Sequence, residues 1–143
     1  MNDVPGCQTV ERTGSDSIIL IEGYASIFGV TDRSGDIVRP GAFARSLRRA
    51  PVAMFVQHQH GPTVGRWTRL VEDGRGLFVR GLVETDAARN LILKRGFDGL
   101  SIGFRPRVWR QTGAMGRTLA DVDLIEISLV NDPMLTQARF VVI

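Results

Sequence analysis

Along most of this chain apolar and polar residues alternate, in short stretches separated by glycine, proline and aspartate. That is the period of a strand, whose successive side chains point to opposite faces. SIILIEGYASI (17–27), rich in β-branched residues, predicts a first strand partly buried on both faces. VAMFVQH (52–58), VGRWTRLVE (64–72) and LFVRGLVE (77–84) predict three more, joined by a Gly-Pro loop and the turn DGRG into an antiparallel meander. GLSIGFRPRVW continues as strand from residue 99, and RTLADVDLIEISLV (117–130) alternates and then runs together as a well-buried strand does. VTDRSGDIVRPGAF (30–43) reads as a loop leading into a short helix, GAFARSLRRA, which Pro51 stops. TDAARNLILKRG (85–96) carries full helix punctuation: Thr85 or Asp86 as N-cap, Leu91 and Ile92 at its apolar centre, Lys94 and Arg95 in the last turn, Gly96 as the stop. The predicted class is α+β: a mainly antiparallel β-barrel or strongly bent sheet with a few flanking helices, and no βαβ alternation.

With 143 residues, 43% of them hydrophobic, the chain builds one cored domain, expected over 17–143 behind a flexible polar segment at 1–16. Lys94 is the only lysine against a total of 18 basic residues, so arginine carries the positive charge. Arginine suits bidentate contacts, yet the net charge of +3 is modest for a nucleic-acid binder. The single cysteine, Cys7, excludes an intramolecular disulfide and a cysteine zinc site and fits a reducing compartment. No run reaches the roughly 18 apolar residues of a membrane span, and the start lacks the basic-then-apolar pattern of a secretory signal, so a soluble intracellular protein is expected.

Three residues stand out chemically. Gly99-Leu100-Ser101-Ile102-Gly103 fits the nucleophile-elbow pattern G-x-S-x-G, but the elbow needs a helix after the serine and a histidine later in the chain. Here a strand follows, and both histidines, His58 and His60, come first, which excludes an α/β-hydrolase. Alternation places Ser101 with Gly103, Arg105 and Arg107 on one strand face, and the missing side chain at Gly103 leaves room for a substrate or a catalytic partner. The serine is either a nucleophile awaiting a base or a space-filler in a weakened strand. His58, at a strand end beside a loop, has the pKa of a general base; His60 is its rival, and a His-x-His zinc site lacks further ligands. Glu126 places a carboxylate inside an apolar strand, where it needs a partner: a histidine N–H or one of the many arginines.

These blocks, in this order, resemble the prohead protease family of tailed bacteriophages, which shares its fold with the herpesvirus assembly proteases. GYASIFGVTDRSGDIVRPGAF looks like the family's opening block, VQHQHGPTVGRW its histidine block, GLSIGF its serine block and LIEISLVNDP its acid block. The resemblance implies Ser101 as nucleophile, His58 as base and Glu126 as the third member of a triad; herpesvirus relatives carry a second histidine at that third position. It implies acyl-enzyme endopeptidase chemistry with no cofactor or metal, oxyanion donors in the NDPMLTQAR loop, and an assembly substrate. That substrate is a scaffold protein or the N-terminal scaffolding segment of a major capsid protein, cut inside the immature capsid in the bacterial cytoplasm. The element is a phage, a prophage or a gene transfer agent, and the resemblance allows self-cleavage and a homodimer. Two other classes remain: a catalytically silent assembly factor on the same fold, and an arginine-rich nucleic-acid-binding β-domain using Arg105, Arg107 and Trp109.

Overall fold

The computed structural model describes residues 18–143; the N-terminal segment and Cys7 lie outside the described residues. The alternating stretches form strands β1 (Ile19–Ile27), β2 (Asp36–Val38), β3 (Ala53–Val56), β4 (Gly65–Glu72), β5 (Gly76–Val83), β6 (Gly99–Thr112), β7 (Gly116–Val130) and β8 (Phe140–Val142), with helices α1 (Ala44–Leu47) and α2 (Asp86–Arg95). All eight strands belong to one sheet, in the order β2-β7-β3-β4-β5-β1-β8 with β6 also on β7. Its ends nearly meet: Leu100 N–H donates to the Ala138 carbonyl and Phe140 N–H to that of Asp98, both at 2.9 Å. This joins the start of β6 to the segment entering β8, which pairs with β1. The curl wraps around Ile21, Phe43, Met54, Leu77, Leu100, Leu119 and Ile127, all fully buried. Each such side chain contributes about 1.5–3 kcal/mol by leaving water, so the apolar interior is what keeps the sheet rolled.

The meander β3-β4-β5 is antiparallel as the sequence predicts. Two parallel pairings, β2 on β7 and β3 on β7, have no local signature. Strand β2 forms where a loop is expected, and β8 where alternation predicts no element; each is three residues long and takes its hydrogen bonds from a neighbouring strand edge. The helix predicted at 41–50 shrinks to the single turn of α1. Its entry is fixed by the Glu72 carboxylate, which accepts from Gly41 N–H at 2.9 Å and Phe43 N–H at 2.7 Å. Ser46 Oγ then accepts from Leu124 N–H at 2.8 Å, anchoring the turn to β7. In α2, Thr85 is the N-cap, its side chain accepting from Ala88 N–H, and Gly96 ends the helix in the left-handed conformation. No helix among the described residues is long and apolar enough to cross a membrane.

Candidate active site

Strand β7 is the hub that assembles the chemistry. Its C-terminal half runs parallel to β3 and antiparallel to β6, so the C-terminal ends of β3 and β7 and the start of β6 come together. In the β6–β7 register Ser101 lies opposite Ser128 and Gly103 opposite Glu126, which places all four positions on one face. Ser101 is nearly buried, so the face that alternation marks as polar is the floor of a cleft and not open surface. After Gly103 the register slips, and Ile125 is exposed at the slip while Glu126 on the opposite face is buried.

His58 reaches this face through an unusual backbone. β3 stops at Val56, and Gln57 and His58 both adopt left-handed angles, φ 54° and 58°. Two consecutive non-glycine residues there cost about 1–2 kcal/mol each. The turn is held by β7 and the loop beyond it: Gln57 N–H donates to the Leu129 carbonyl at 3.0 Å, Asn131 N–H to Gln57 Oε1 at 3.3 Å, and His58 N–H to Ser128 Oγ at 3.1 Å. The strain swings the imidazole off the β3 path and across the cleft.

The result is a continuous hydrogen-bonded chain. His58 Nδ1 lies 2.5 Å from Glu126 Oε2, and His58 Nε2 lies 3.0 Å from Ser101 Oγ. A carboxylate only accepts, so Nδ1 carries the proton and Nε2 is left to accept from the serine hydroxyl. Glu126 is 1% exposed, and its other oxygen accepts from Ser128 Oγ at 2.7 Å. Of the two partners open to a buried Glu126, the histidine is the one found: among the described residues no arginine lies within ion-pair distance. The hydrogen bond that His58 donates to Glu126 raises the His58 pKa, burial opposes this, and the carboxylate charge adds to the rise. His60 Nε2 is 3.8 Å from the same oxygen, too far for a hydrogen bond, and its ring stacks on Phe55.

Gly103 has a more specific task than clearing space near the serine. A Cβ there would sit 2.2 Å from Glu126 Oε2, so the carboxylate occupies the room the glycine leaves. Ser128 is a further participant that sequence reading passes over. It bonds both Glu126 and the His58 backbone, and its only sequence signal is its place two residues from Glu126 on the same strand face.

Ser101 and His58 open onto a cleft of about 460 Å³. Apolar walls come from Ile27, Val30, Ile102, Phe104, Met134 and Leu135, and the Asp36–Arg117 ion pair lies on its border. Two of the three residues considered for nucleic acid, Arg107 and Trp109, are already engaged. Arg107 lies 3.5 Å from Asp123, and the Trp109 ring is covered by the Arg117 guanidinium, which is itself paired with Asp36. Among the described residues no cluster of three or more His, Cys, Asp or Glu is arranged to hold a metal ion.

The prohead protease of Enterobacteria phage HK97 is 39% identical over 103 residues, covering 66% of this chain and 46% of that protein. The chain thus spans less than half the length of this relative. Among solved structures, the KSHV protease in complex with a hexapeptide phosphonate inhibitor superposes with a TM-score of 0.58 at 13% identity, covering 87% of this chain and 64% of that one. The capsid assembly protease of bacteriophage T4 superposes with a TM-score of 0.58 at 13% identity, covering 78% and 80%. At such identities the likeness is one of fold, and the fold is the rolled sheet described above. The model of the caudovirus prohead serine protease family matches residues 7–143, a span that takes in Ser101, His58 and Glu126 together, and the chain belongs to that family.

Proposed function

We propose that this chain is a serine endopeptidase of capsid maturation, with Ser101 as nucleophile, His58 as general base and Glu126 as the group that orients and stabilises the histidine. The observation that carries the reading is the Glu126–His58–Ser101 chain, ending at the cleft floor with its proton positions fixed by the carboxylate. His58 Nε2 takes the Ser101 proton as Oγ bonds to a substrate carbonyl carbon. The imidazolium, stabilised by Glu126, then gives that proton to the leaving amine as the peptide C–N bond breaks. Water, deprotonated by the same nitrogen, releases the acyl group and restores the serine. The carbonyl oxygen becomes negative in each tetrahedral stage and needs N–H donors. We assign these donors to backbone N–H groups of the loop after β7, whose Met134 and Leu135 line the cleft.

Family membership supports an assembly substrate, which we take to be a scaffold protein, or the N-terminal scaffolding segment of a major capsid protein, of a tailed phage, prophage or gene transfer agent, cut inside the immature shell. Co-expression with the major capsid protein of the same genome, as wild type and as Ser101→Ala, followed by intact-mass analysis of both proteins, tests this. A shortened capsid protein with wild type alone is the expected result and locates the cleavage site. Cleavage that persists in Ser101→Ala refutes the nucleophile, and an uncut capsid protein in both favours an assembly factor or a separate scaffold substrate.

A further inference from the structure

Two loops complete the cleft beyond the strands: residues 28–35, between β1 and β2, and residues 131–139, between β7 and β8. The first is stiff. Asp32 Oδ1 accepts from Ser34 N–H at 2.9 Å, Ser34 Oγ–H at 2.7 Å and Asp36 N–H at 2.9 Å. Gly35, at φ +91°, closes the turn by donating to the Asp32 carbonyl. Asp36 then anchors it to β7 through a two-pronged pair with Arg117 at 2.9 and 2.7 Å. Arg33 is therefore presented on a fixed post.

From that post Arg33 grips the second loop twice. Its N–H donates to the Met134 carbonyl at 3.0 Å, and its guanidinium forks onto both oxygens of Asp132 at 2.8 Å each. Both side chains are more than half exposed, 52% and 65%, so the pair adds little to global stability. A bidentate fork nevertheless fixes direction as well as distance. The loop it fixes carries Met134 and Leu135, which line the same cleft as Ser101.

We propose that Arg33 is a positioning residue: through its fork on Asp132 it holds the Met134–Leu135 wall at working distance from Ser101. This rests on reading Ser101 as the nucleophile. The variants are Arg33→Ala, Arg33→Lys, which keeps the charge without the fork, and the exchanged pair Arg33→Asp with Asp132→Arg. Each full-length chain is assayed for kcat and KM on its capsid substrate, for phosphonylation of Ser101 by a small fluorophosphonate, and for thermal midpoint. Arg33→Ala is expected to lose roughly tenfold in kcat, below the ~100-fold that an ångström of misplacement can cost. Its midpoint should not move, Arg33→Lys should recover only part of the loss, and the exchanged pair should recover most of it. Wild-type turnover should fall as salt screens the exposed pair, while Arg33→Ala stays insensitive. A wild type that labels at Ser101 beside an Arg33→Ala variant of unchanged kcat overturns this inference alone, as does an exchanged pair no better than the single variants. A wild type whose Ser101 takes no phosphonate overturns the nucleophile reading and this one with it.

Discussion

Replacing Gly103 with alanine drives a methyl group into the Glu126 carboxylate, and the structure sets the size of the conflict. The new carbon would lie 2.2 Å from Oε2, 2.7 Å from Cδ and 2.9 Å from Cγ, well inside the ~3.5 Å of ordinary contact. Glu126 is enclosed, with one oxygen on Ser128 and the other on His58, so it relieves the overlap only by leaving the imidazole. Loss of a charge-assisted hydrogen bond of this kind is worth about 1.5–3 kcal/mol, or roughly 10- to 150-fold in rate. Overpacking adds about 1–3 kcal/mol of destabilisation. Gly103→Ala should therefore lower kcat/KM about a hundredfold and the thermal midpoint by several degrees, measured by cleavage kinetics and a circular-dichroism melt. In a Glu126→Ala background the obstacle is gone, and the same change should cost little more; such non-additivity marks a direct contact. A Gly103→Ala variant within threefold of wild-type activity would refute the argument that this glycine exists to seat the carboxylate.

Three further outcomes follow from the same geometry. A general base works deprotonated, so kcat/KM should rise with pH through the His58 pKa, and Glu126 holds that pKa above the ordinary value of about 6.5. Glu126→Gln removes the charge and should move this rise to lower pH while leaving partial activity; a pH–rate profile with an unmoved limb would remove Glu126 as the cause. His58→Ala should abolish turnover, whereas His60→Ala, which deletes a ring stacked on Phe55 outside hydrogen-bond reach of Glu126, should cost less than about tenfold; the reverse order would transfer the base to His60. Ser128→Ala should lower kcat more than KM, because it loosens the carboxylate and the His58 backbone together without lying at the reacting serine.

Much of this site is legible in the order of residues along the chain. The serine on a continuing strand, the histidine at a strand end and the acid inside an apolar run are each local patterns, and the order of the blocks joins them. What local pattern leaves open is each residue's partner. Glu126 facing a histidine or an arginine is undecidable along the chain, because the answer depends on β3 lying parallel to β7, a pairing between segments some seventy residues apart. The bend that delivers His58 is equally hidden: nothing in Gln57-His58 favours left-handed angles, and they persist because Leu129, Ser128 and Asn131 bond the turn.

By itself the sequence determines β1, the strands β3 to β7, the capped helix at 86–95 and the three candidate catalytic side chains, since alternation, capping and residue chemistry act over a few neighbours. The tertiary structure alone decides the parallel seams on β7, the short strands β2 and β8, the seating of Glu126 over Gly103 and the fork of Arg33 on Asp132. Each of those is a contact between distant segments, stable only once the apolar interior has rolled the sheet and brought them together.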